Sequence, residues 1–167
     1  MFDRLLVPTD GSALSEEAVE YAVSLARAHD ATIRTVYVVN AANYGSLPME
    51  TAWDGIGEAL REEGENAVER VREVVDGRVP VETVVREGSP SRAIVDEAQA
   101  GECDLIVMGT HGRGGIDRLL LGSVTERVVR RSSVPVLTLR LGAENVLAGA
   151  EESGPETTTK EHHEELS

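Results

Sequence analysis

Short apolar runs alternate with longer amphipathic segments along most of this chain, and that alternation restricts the possible folds more than any other feature. Helical spacing of apolar residues marks the longer segments, while β-branched or alternating residues mark the shorter ones. The strand-like runs span residues 2–7, 32–39, 79–86, 104–108 and 135–140, and the helix-like segments span 12–29, 58–76, 89–101 and 123–131. This order predicts an α/β fold, a single doubly wound domain whose parallel sheet carries helices on both faces.

The charge balance limits the partners that the chain can bind. Its 167 residues carry 30 acidic and 16 basic side chains, which gives a formal net charge of −14. Such a field repels phosphate backbones, so we expect no nucleic-acid partner. Any phosphate site would have to be made locally, by backbone N–H groups and a helix end rather than by a basic patch. Lys160 is the only lysine. This acidic composition is typical of halophilic cytoplasmic proteins, although an ordinary acidic cytosolic protein is the alternative.

Cysteine usage and hydropathy indicate the compartment. The single cysteine, Cys103, cannot form an internal disulfide and is expected to be a small buried hydrophobic residue beside the apolar run 105–108. No run of about 18 apolar residues is present, and the chain enters its first strand without a basic and apolar leader. We therefore predict a cytoplasmic protein that does not interact with a membrane.

Composition changes after Leu141 and divides the chain into two parts. Residues 1–141 contain all of the predicted elements and form the expected folded domain. Residues 142–167 carry seven glutamates and one lysine, which predicts a flexible acidic tail. His162 and His163 are adjacent in this tail, but two histidines without further ligands are a weak signal for a metal site.

A glycine-rich segment after the fourth strand is the strongest functional signal. Gly109 lies where the strand ends and lets the backbone approach a ligand closely. Gly112, Gly114 and Gly115 permit positive φ and leave N–H groups that can point at an anion. This spacing favours a loop that holds the phosphates of a nucleotide.

The far end of the same loop opens the last helix. Ser123 is predicted to be the N-cap, and Glu126, three residues later, completes a capping box. A helix start attracts phosphate through its N–H groups and its dipole. Each feature alone has a purely structural explanation, because glycine turns and capped helices are common. Their combination between a buried strand and a helix is more specific.

The loop also carries a resemblance to a known family. Gly109-Thr110-His111-Gly112, a nine-residue spacer and Gly122-Ser123 match the ATP-binding pattern G-2x-G-9x-G-(S/T) of the universal stress protein family. Residues 7–12 (Val-Pro-Thr-Asp-Gly-Ser) resemble the first-strand signature of that family, and residues 133–137 (Ser-Val-Pro-Val-Leu) resemble its last strand. The resemblance covers residues 1–140.

The resemblance implies both a topology and a ligand. The implied sheet has five parallel strands in the order 3-2-1-4-5, so that strands 1 and 4 are adjacent at the switch point, where ligands bind in such sheets. The implied ligand is ATP. By resemblance, Asp10 would contact the ribose or a metal ion (Mg²⁺ or Mn²⁺), and Val39 would meet adenine through its backbone. The ribose and phosphates would be held by Gly109, Gly112, Gly122, Ser123 and Val124.

Three side chains near this loop have alternative roles. Asp10 could instead cap the first helix or shape the Asp-Gly turn. His111 and Arg113 lie within the phosphate loop, where they could add positive charge to the site or point to water.

The sequence favours a binding protein over a fast enzyme. The pattern Gly-x-x-x-x-Gly-Lys-(Ser/Thr) is absent, and no general base is evident in the phosphate loop. We therefore expect an ATP-binding stress-response or regulatory protein with at most weak ATPase activity. A slow ATP hydrolase or phosphotransfer enzyme that acts with a partner is the first alternative, and a nucleotide-free interaction scaffold is the second.

The expected partners include an unidentified regulatory protein and a second copy of the chain. Residues 135–140 form the last strand, which is a sheet edge in the implied order, and their only charge is Arg140. An apolar edge of this kind invites pairing with another chain. We therefore predict a homodimer through the last strand.

Overall fold

The computed structural model describes residues 1–40, 53–110 and 121–140, apart from the side chains of residues 53–56. Five strands alternate with four helices in these ranges. The elements are β1 (Arg4–Thr9), α1 (Ala13–His29), β2 (Thr32–Val39), α2 (Trp53–Val75), β3 (Val81–Glu87), α3 (Pro90–Ala100), β4 (Leu105–Gly109), α4 (Ser123–Arg131) and β5 (Val136–Leu139).

All five strands are parallel and form one sheet in the order β3-β2-β1-β4-β5, which confirms the predicted α/β fold and topology. The helices cover both faces of this sheet. One face packs against α1 and α2 around Leu5, Val7 and Val107, and the other packs against α3 and α4 around Leu6 and Ile106. Alternate residues of each central strand therefore enter opposite core layers, as the pleat requires.

Helix α2 begins at Trp53, five residues before the start at residue 58 that the sequence pattern predicts. The predicted loop over residues 40–57 ends at Trp53, where the helix begins, so Gly57 lies inside a helix. Glycine costs about 1 kcal/mol relative to alanine in a helix interior, which made the segment resemble a loop. The side chain of Trp53 lies outside the described residues.

The pairing of β1 differs on its two sides. With β2 it continues to the carboxyl ends of the strands, where Thr9 pairs with Tyr37. With β4, within the described residues, the ladder ends where Leu6 pairs with Ile106. The ladder between the two central strands therefore stops short of their last residues. This unpaired stretch, called here the opening between β1 and β4, lies at the carboxyl edge of the sheet, at the point where the strand order reverses.

Pro8 explains why the ladder stops there. The carbonyl of Arg4 accepts a hydrogen bond from the N–H of Asp104 at 2.9 Å, so the backbone of Arg4 faces β4. Residues of a strand face its two neighbours alternately, which means that Pro8 also faces β4. Proline has no N–H and cannot donate to that neighbour. A central strand is an unusual place for proline, and here its missing donor coincides with the opening.

The acidic tail, residues 142–167, lies outside the described residues. In the ranges that the structure describes, no helix combines the length and the apolar character needed to span a membrane.

Candidate functional site

The turn after β1 forms one wall of the opening. Oδ1 of Asp10 accepts hydrogen bonds from the backbone N–H of Ser12 at 3.0 Å and from its hydroxyl at 2.6 Å. Gly11, between them, has φ of 73°, a left-handed conformation that glycine adopts without strain. Asp10 therefore does shape the Asp-Gly turn, which is one of the alternative roles predicted for it. A carboxylate held at this turn is fixed in direction at the carboxyl edge of the sheet.

Two further hydroxyl groups stabilise the same turn. Thr9 is buried, and its Oγ1 accepts from the N–H of Gly11 at 3.1 Å and lies 3.0 Å from the hydroxyl of Ser15. Ser12 is the N-cap of α1, because its Oγ accepts from the N–H of Ser15 at 3.3 Å. The start of α1 is thus capped by the side chain of Ser12.

Arg70 reaches this turn from α2. Its Nη2 donates to the carbonyl of Gly11 at 3.1 Å, and its Nε lies 3.7 Å from Oε1 of Glu16 in the first turn of α1. In a chain of net charge −14, this places a guanidinium beside the candidate site. Nothing in the local sequence pattern indicated it, because Arg70 is 59 residues from Gly11 and the contact depends on helix packing.

The end of β2 contributes a buried residue at the same edge. Val39 is the last residue of β2 and is 7% exposed. Its carbonyl accepts from the N–H of Gly88 at 2.9 Å. Gly88 follows β3 and has φ of 130°, a conformation that favours glycine. The backbone at Val39 is therefore fixed by its neighbour in the sheet.

The glycine-rich loop is closed at its base. The N–H of Gly122 donates to the carbonyl of Thr110 at 2.7 Å, and the N–H of Thr110 donates to Leu139 of β5 at 2.8 Å. In addition, Oγ1 of Thr125 donates to the carbonyl of Gly109 at 2.9 Å. These bonds join the end of β4 to the start of α4, so the loop leaves and re-enters the fold at one place.

The predicted capping box at α4 is wrong. The N-cap is Gly122, not Ser123, and no side-chain capping hydrogen bond is present there. Ser123 is instead the first helical residue. Glu126 does not reach back to the N-cap, because it pairs with Arg130 one turn later, with 3.1 Å between Oε1 and Nη2. Glycine has no side chain to occupy the helix start, so the first N–H groups of α4 receive no cap of that kind.

The predicted site residues divide into two groups. The structure brings Asp10, Val39, Gly109 and the start of α4, which includes Ser123 and Val124, to the carboxyl edge of the sheet. His111, Gly112 and Arg113 lie outside the described residues, so their roles stay predictions. The sequence analysis does not single out Thr125, although its place two residues after the matched motif, in the first turn of the same helix, is the signal that could have found it.

Two groups with shifted pKa values, Asp104 and Cys103, lie at the amino ends of the strands, opposite the edge that carries the candidate site. Asp104 precedes β4, and its Oδ2 accepts from the N–H groups of Asp3 at 2.7 Å and Arg4 at 2.9 Å. These two bonds hold the pKa of that carboxyl below its usual range. The adjacent thiol, Cys103, is buried as predicted. Both groups lie just before β4, at the edge of the sheet opposite the carboxyl ends of β1 and β4.

The chain is similar to known proteins over the whole described domain. The model of the universal stress protein family matches residues 1–140. Universal stress protein MJ0531 of Methanocaldococcus jannaschii is 40% identical over 141 residues, which are 84% of this chain and 83% of that protein. Universal stress protein YxiE of Bacillus subtilis is 31% identical over 84% of this chain and all of that protein.

Solved structures show the same fold. The protein MJ0577 of M. jannaschii superimposes with a TM-score of 0.75 at 28% identity, over 83% of this chain and 96% of that one. A universal stress protein in complex with cAMP superimposes with a TM-score of 0.61 at 26% identity, over the same shares of the two chains. The matched region contains every element described above. The chain therefore belongs to the universal stress protein family.

Proposed function

We propose that the chain binds an adenine nucleotide, ATP, in the opening between β1 and β4, and that it acts as a stress-response or regulatory protein. One observation carries the proposal. Within the described residues, the start of α4 has a glycine N-cap with no side-chain cap, and it is hydrogen-bonded, through Gly122 and Thr110, to the end of β4 beside that opening. A helix start without a side-chain cap offers N–H groups and a partial positive charge to a phosphate.

The contrast between the two helices at the opening supports this assignment. Ser12 caps α1, and Oδ1 of Asp10 takes the N–H and hydroxyl of Ser12 itself. Of the two helix starts that flank the opening, the one without a side-chain cap in the described residues is therefore that of α4. A chain with net charge −14 needs such a local site, because its overall field repels phosphate.

A solved relative supports the choice of an adenine nucleotide. The universal stress protein crystallised with cAMP shares 26% identity and the fold with this chain. In our proposal, the backbone of Val39 meets the base, and Asp10 contacts the ribose or a metal ion. The phosphates are held by the backbone of the glycine-rich loop and by Ser123 and Val124, with His111 and Arg113 supplying positive charge.

A divalent ion fits this arrangement as a companion of the nucleotide. Mg²⁺ is commonly bound by one or two carboxylates, together with substrate phosphates and water. Asp10 supplies such a carboxylate at the rim of the opening, and Mn²⁺ would accept the same oxygen ligands. We propose that the ion binds with the nucleotide, and that Asp10 is its protein ligand.

Titration calorimetry of the purified protein with ATP, AMP, cAMP and GTP tests the proposal. We expect saturable binding of the adenine nucleotides and no comparable binding of GTP. Denaturing the protein as purified and identifying released nucleotide by mass gives an independent readout. Phosphate release, measured in the same samples, distinguishes a binding protein from a slow hydrolase. The absence of saturable binding by any adenine nucleotide would overturn the proposal.

A graded series at Gly122 assigns the binding to the loop. The φ of −60° at Gly122 is accessible to every residue, so added bulk there does not strain the backbone. We expect the ATP affinity to fall from Gly122 to Gly122→Ala and to be lost in Gly122→Val, with the melting temperature nearly unchanged. Equal affinities across the series would place the nucleotide elsewhere.

A further inference from the structure

The carbonyl of Gly109 faces the opening between β1 and β4. The N–H groups of Ile106 and Thr110 donate to Pro135 and Leu139 beside β5, at 2.9 Å and 2.8 Å. Even-numbered residues of β4 therefore face β5, and by alternation the backbone of Gly109 faces β1. The ladder between β1 and β4 has ended three residues earlier, at Ile106.

Thr125 supplies a donor to that carbonyl from outside the sheet. Its Oγ1 lies 2.9 Å from the oxygen of Gly109, and the residue is 4% exposed. A threonine inside a helix commonly bonds the carbonyl four residues earlier in the same helix. Here the hydroxyl spans to the last residue of a strand instead. The bond thus connects the first turn of α4 directly to the end of β4.

Two bonds at the base of the loop then fix one geometry. The second is the 2.7 Å bond from the N–H of Gly122 to the carbonyl of Thr110. Together with the Thr125 bond, it determines how the first N–H groups of α4 point relative to the end of β4. A phosphate that contacts both ends of the loop requires these N–H groups to be placed to within about half an ångström.

We propose that Thr125 is a positioning residue for the phosphates of the bound nucleotide, acting through the carbonyl of Gly109. This inference rests on the proposed function. Its consequence is selective, because the hydroxyl orients the phosphate-binding end of the site. Loss of the hydroxyl weakens ligands that carry phosphate and leaves a ligand without phosphate nearly unaffected.

Thr125→Val is the direct test, because valine has the shape of threonine and lacks the hydroxyl. Affinities for ATP and for adenosine are measured by competition against a fluorescent adenine nucleotide. We expect Thr125→Val to weaken ATP by about tenfold, which corresponds to about 1.4 kcal/mol, the scale of one hydrogen bond. Adenosine binding is expected to change less than about twofold.

Thr125→Ser and Thr125→Ala provide the matched controls. Serine keeps the hydroxyl and is expected to retain ATP affinity, whereas alanine is expected to behave as valine does. If valine disturbs the packing, the serine and alanine variants still compare a side chain with the hydroxyl to one without it. The comparison is valid when the two variants have the same melting temperature. Rescue by serine is a readout that simple loss of packing does not produce.

The outcomes separate the inference from the function on which it rests. Unchanged ATP affinity in both Thr125→Val and Thr125→Ala, with wild-type binding intact, would overturn the positioning role alone. So would equal losses for ATP and adenosine, or a serine variant as weak as alanine. A wild-type protein that binds neither ligand would overturn the proposed function itself.

Discussion

Glu97 is a buried carboxylate that is enclosed by two guanidinium groups. It is 2% exposed, and its Oε1 lies 2.5 Å from Nη2 of Arg34. Its Oε2 lies 2.7 Å from Nε of Arg86. Glu82 and Arg4 extend the network across the strands, with Glu82 accepting from Arg34 at 2.5 Å. One side chain of α3 therefore connects α3 to β2 and β3 through charged contacts.

We expect Glu97→Gln to lower the free energy of unfolding by about 1.5–3 kcal/mol, because the buried side chain loses its charge-assisted hydrogen bonds to Arg34 and Arg86. Glu126→Gln is the matched control, since its pair with Arg130 is exposed and contributes about 0.3–0.5 kcal/mol. Chemical denaturation measures both variants. Equal effects at the two positions would show that burial does not strengthen the Glu97 network.

Cys103 makes stability depend on pH in the alkaline range. Burial raises the pKa of its thiol from 9.0 to about 11, so the folded protein keeps the proton that the unfolded chain releases. The contribution is fully present below pH 9 and is lost as pH rises towards 11. We expect Cys103→Ala to flatten the decline of the unfolding free energy between these values. Identical slopes in wild type and variant would contradict the shift.

Helix α2 contains two glycines, Gly57 and Gly64, whose surroundings differ. Gly64 lies against β2 and β3, and a Cβ added there would be 2.9 Å from Cδ1 of Tyr37 and 3.1 Å from Cγ1 of Val85. At Gly57, no atom of the described residues lies within 4 Å of an added Cβ. Gly64 therefore permits close packing of the helix on the sheet, while Gly57 has only the cost of a flexible residue in a helix.

Substitution by alanine is expected to change the free energy of unfolding in opposite directions at Gly57 and Gly64. We expect Gly57→Ala to raise the free energy of unfolding by up to about 1 kcal/mol through helix propensity. Gly64→Ala is expected to lower it by about 1–3 kcal/mol, because the buried ring of Tyr37 must shift. Thermal and denaturant unfolding of the two variants measure the difference. Stabilisation by both substitutions would show that α2 is not closely packed at Gly64.

The strands and most helix boundaries could be predicted because they depend on local periodicity. The start of α2 could not, since Gly57 weakens the helical signal and only packing on the sheet compensates for it. The end of β1 was also placed early, at residue 7, because Pro8 and Thr9 interrupt the apolar run. The ladder with β2 nevertheless continues to Thr9.

The candidate site was predictable as a set of backbone positions but not as a set of contacts. The glycine spacing located Gly109 and Gly122, since glycine is required where a backbone must turn or approach a ligand. The cap at α4 was misassigned by one residue, because Ser123 and Glu126 satisfy the same pattern in a helix that begins at Gly122. Contacts such as that of Arg70 with Gly11 depend on tertiary packing, which periodicity does not encode.

The net charge acts on the molecule as a whole. At −14, self-repulsion destabilises the compact state, and salt screens it with a Debye length that falls from about 10 Å at 0.1 M to about 3 Å at 1 M. We expect the melting temperature to rise steadily between dilute and molar NaCl. Sucrose at equal osmolality is the control for general solute exclusion. A flat profile in salt would contradict the halophilic interpretation of the composition.

Strand β5 leaves one edge of the sheet open in the described residues. It spans Val136–Leu139, pairs with β4 on one side only, and has no charged residue within it. Pro135 precedes the strand, where its missing N–H costs least. Apolar edges are usually protected by charge or by a covering element, because their unpaired backbone groups template pairing with another chain.

We expect two copies of the chain to pair antiparallel through β5 across a two-fold axis. A closed symmetric dimer of this kind covers the β5 edge of both copies at once. Light scattering in molar salt measures the mass, since screening is needed for two strongly acidic chains to approach. Leu137→Lys would place two like charges near the axis and is expected to shift the protein to monomer. Because Leu137 also packs against the core, its melting temperature is compared with that of Thr138→Lys. A wild-type monomer at micromolar concentration, or a dimer indifferent to a charge at Leu137, would exclude this interface.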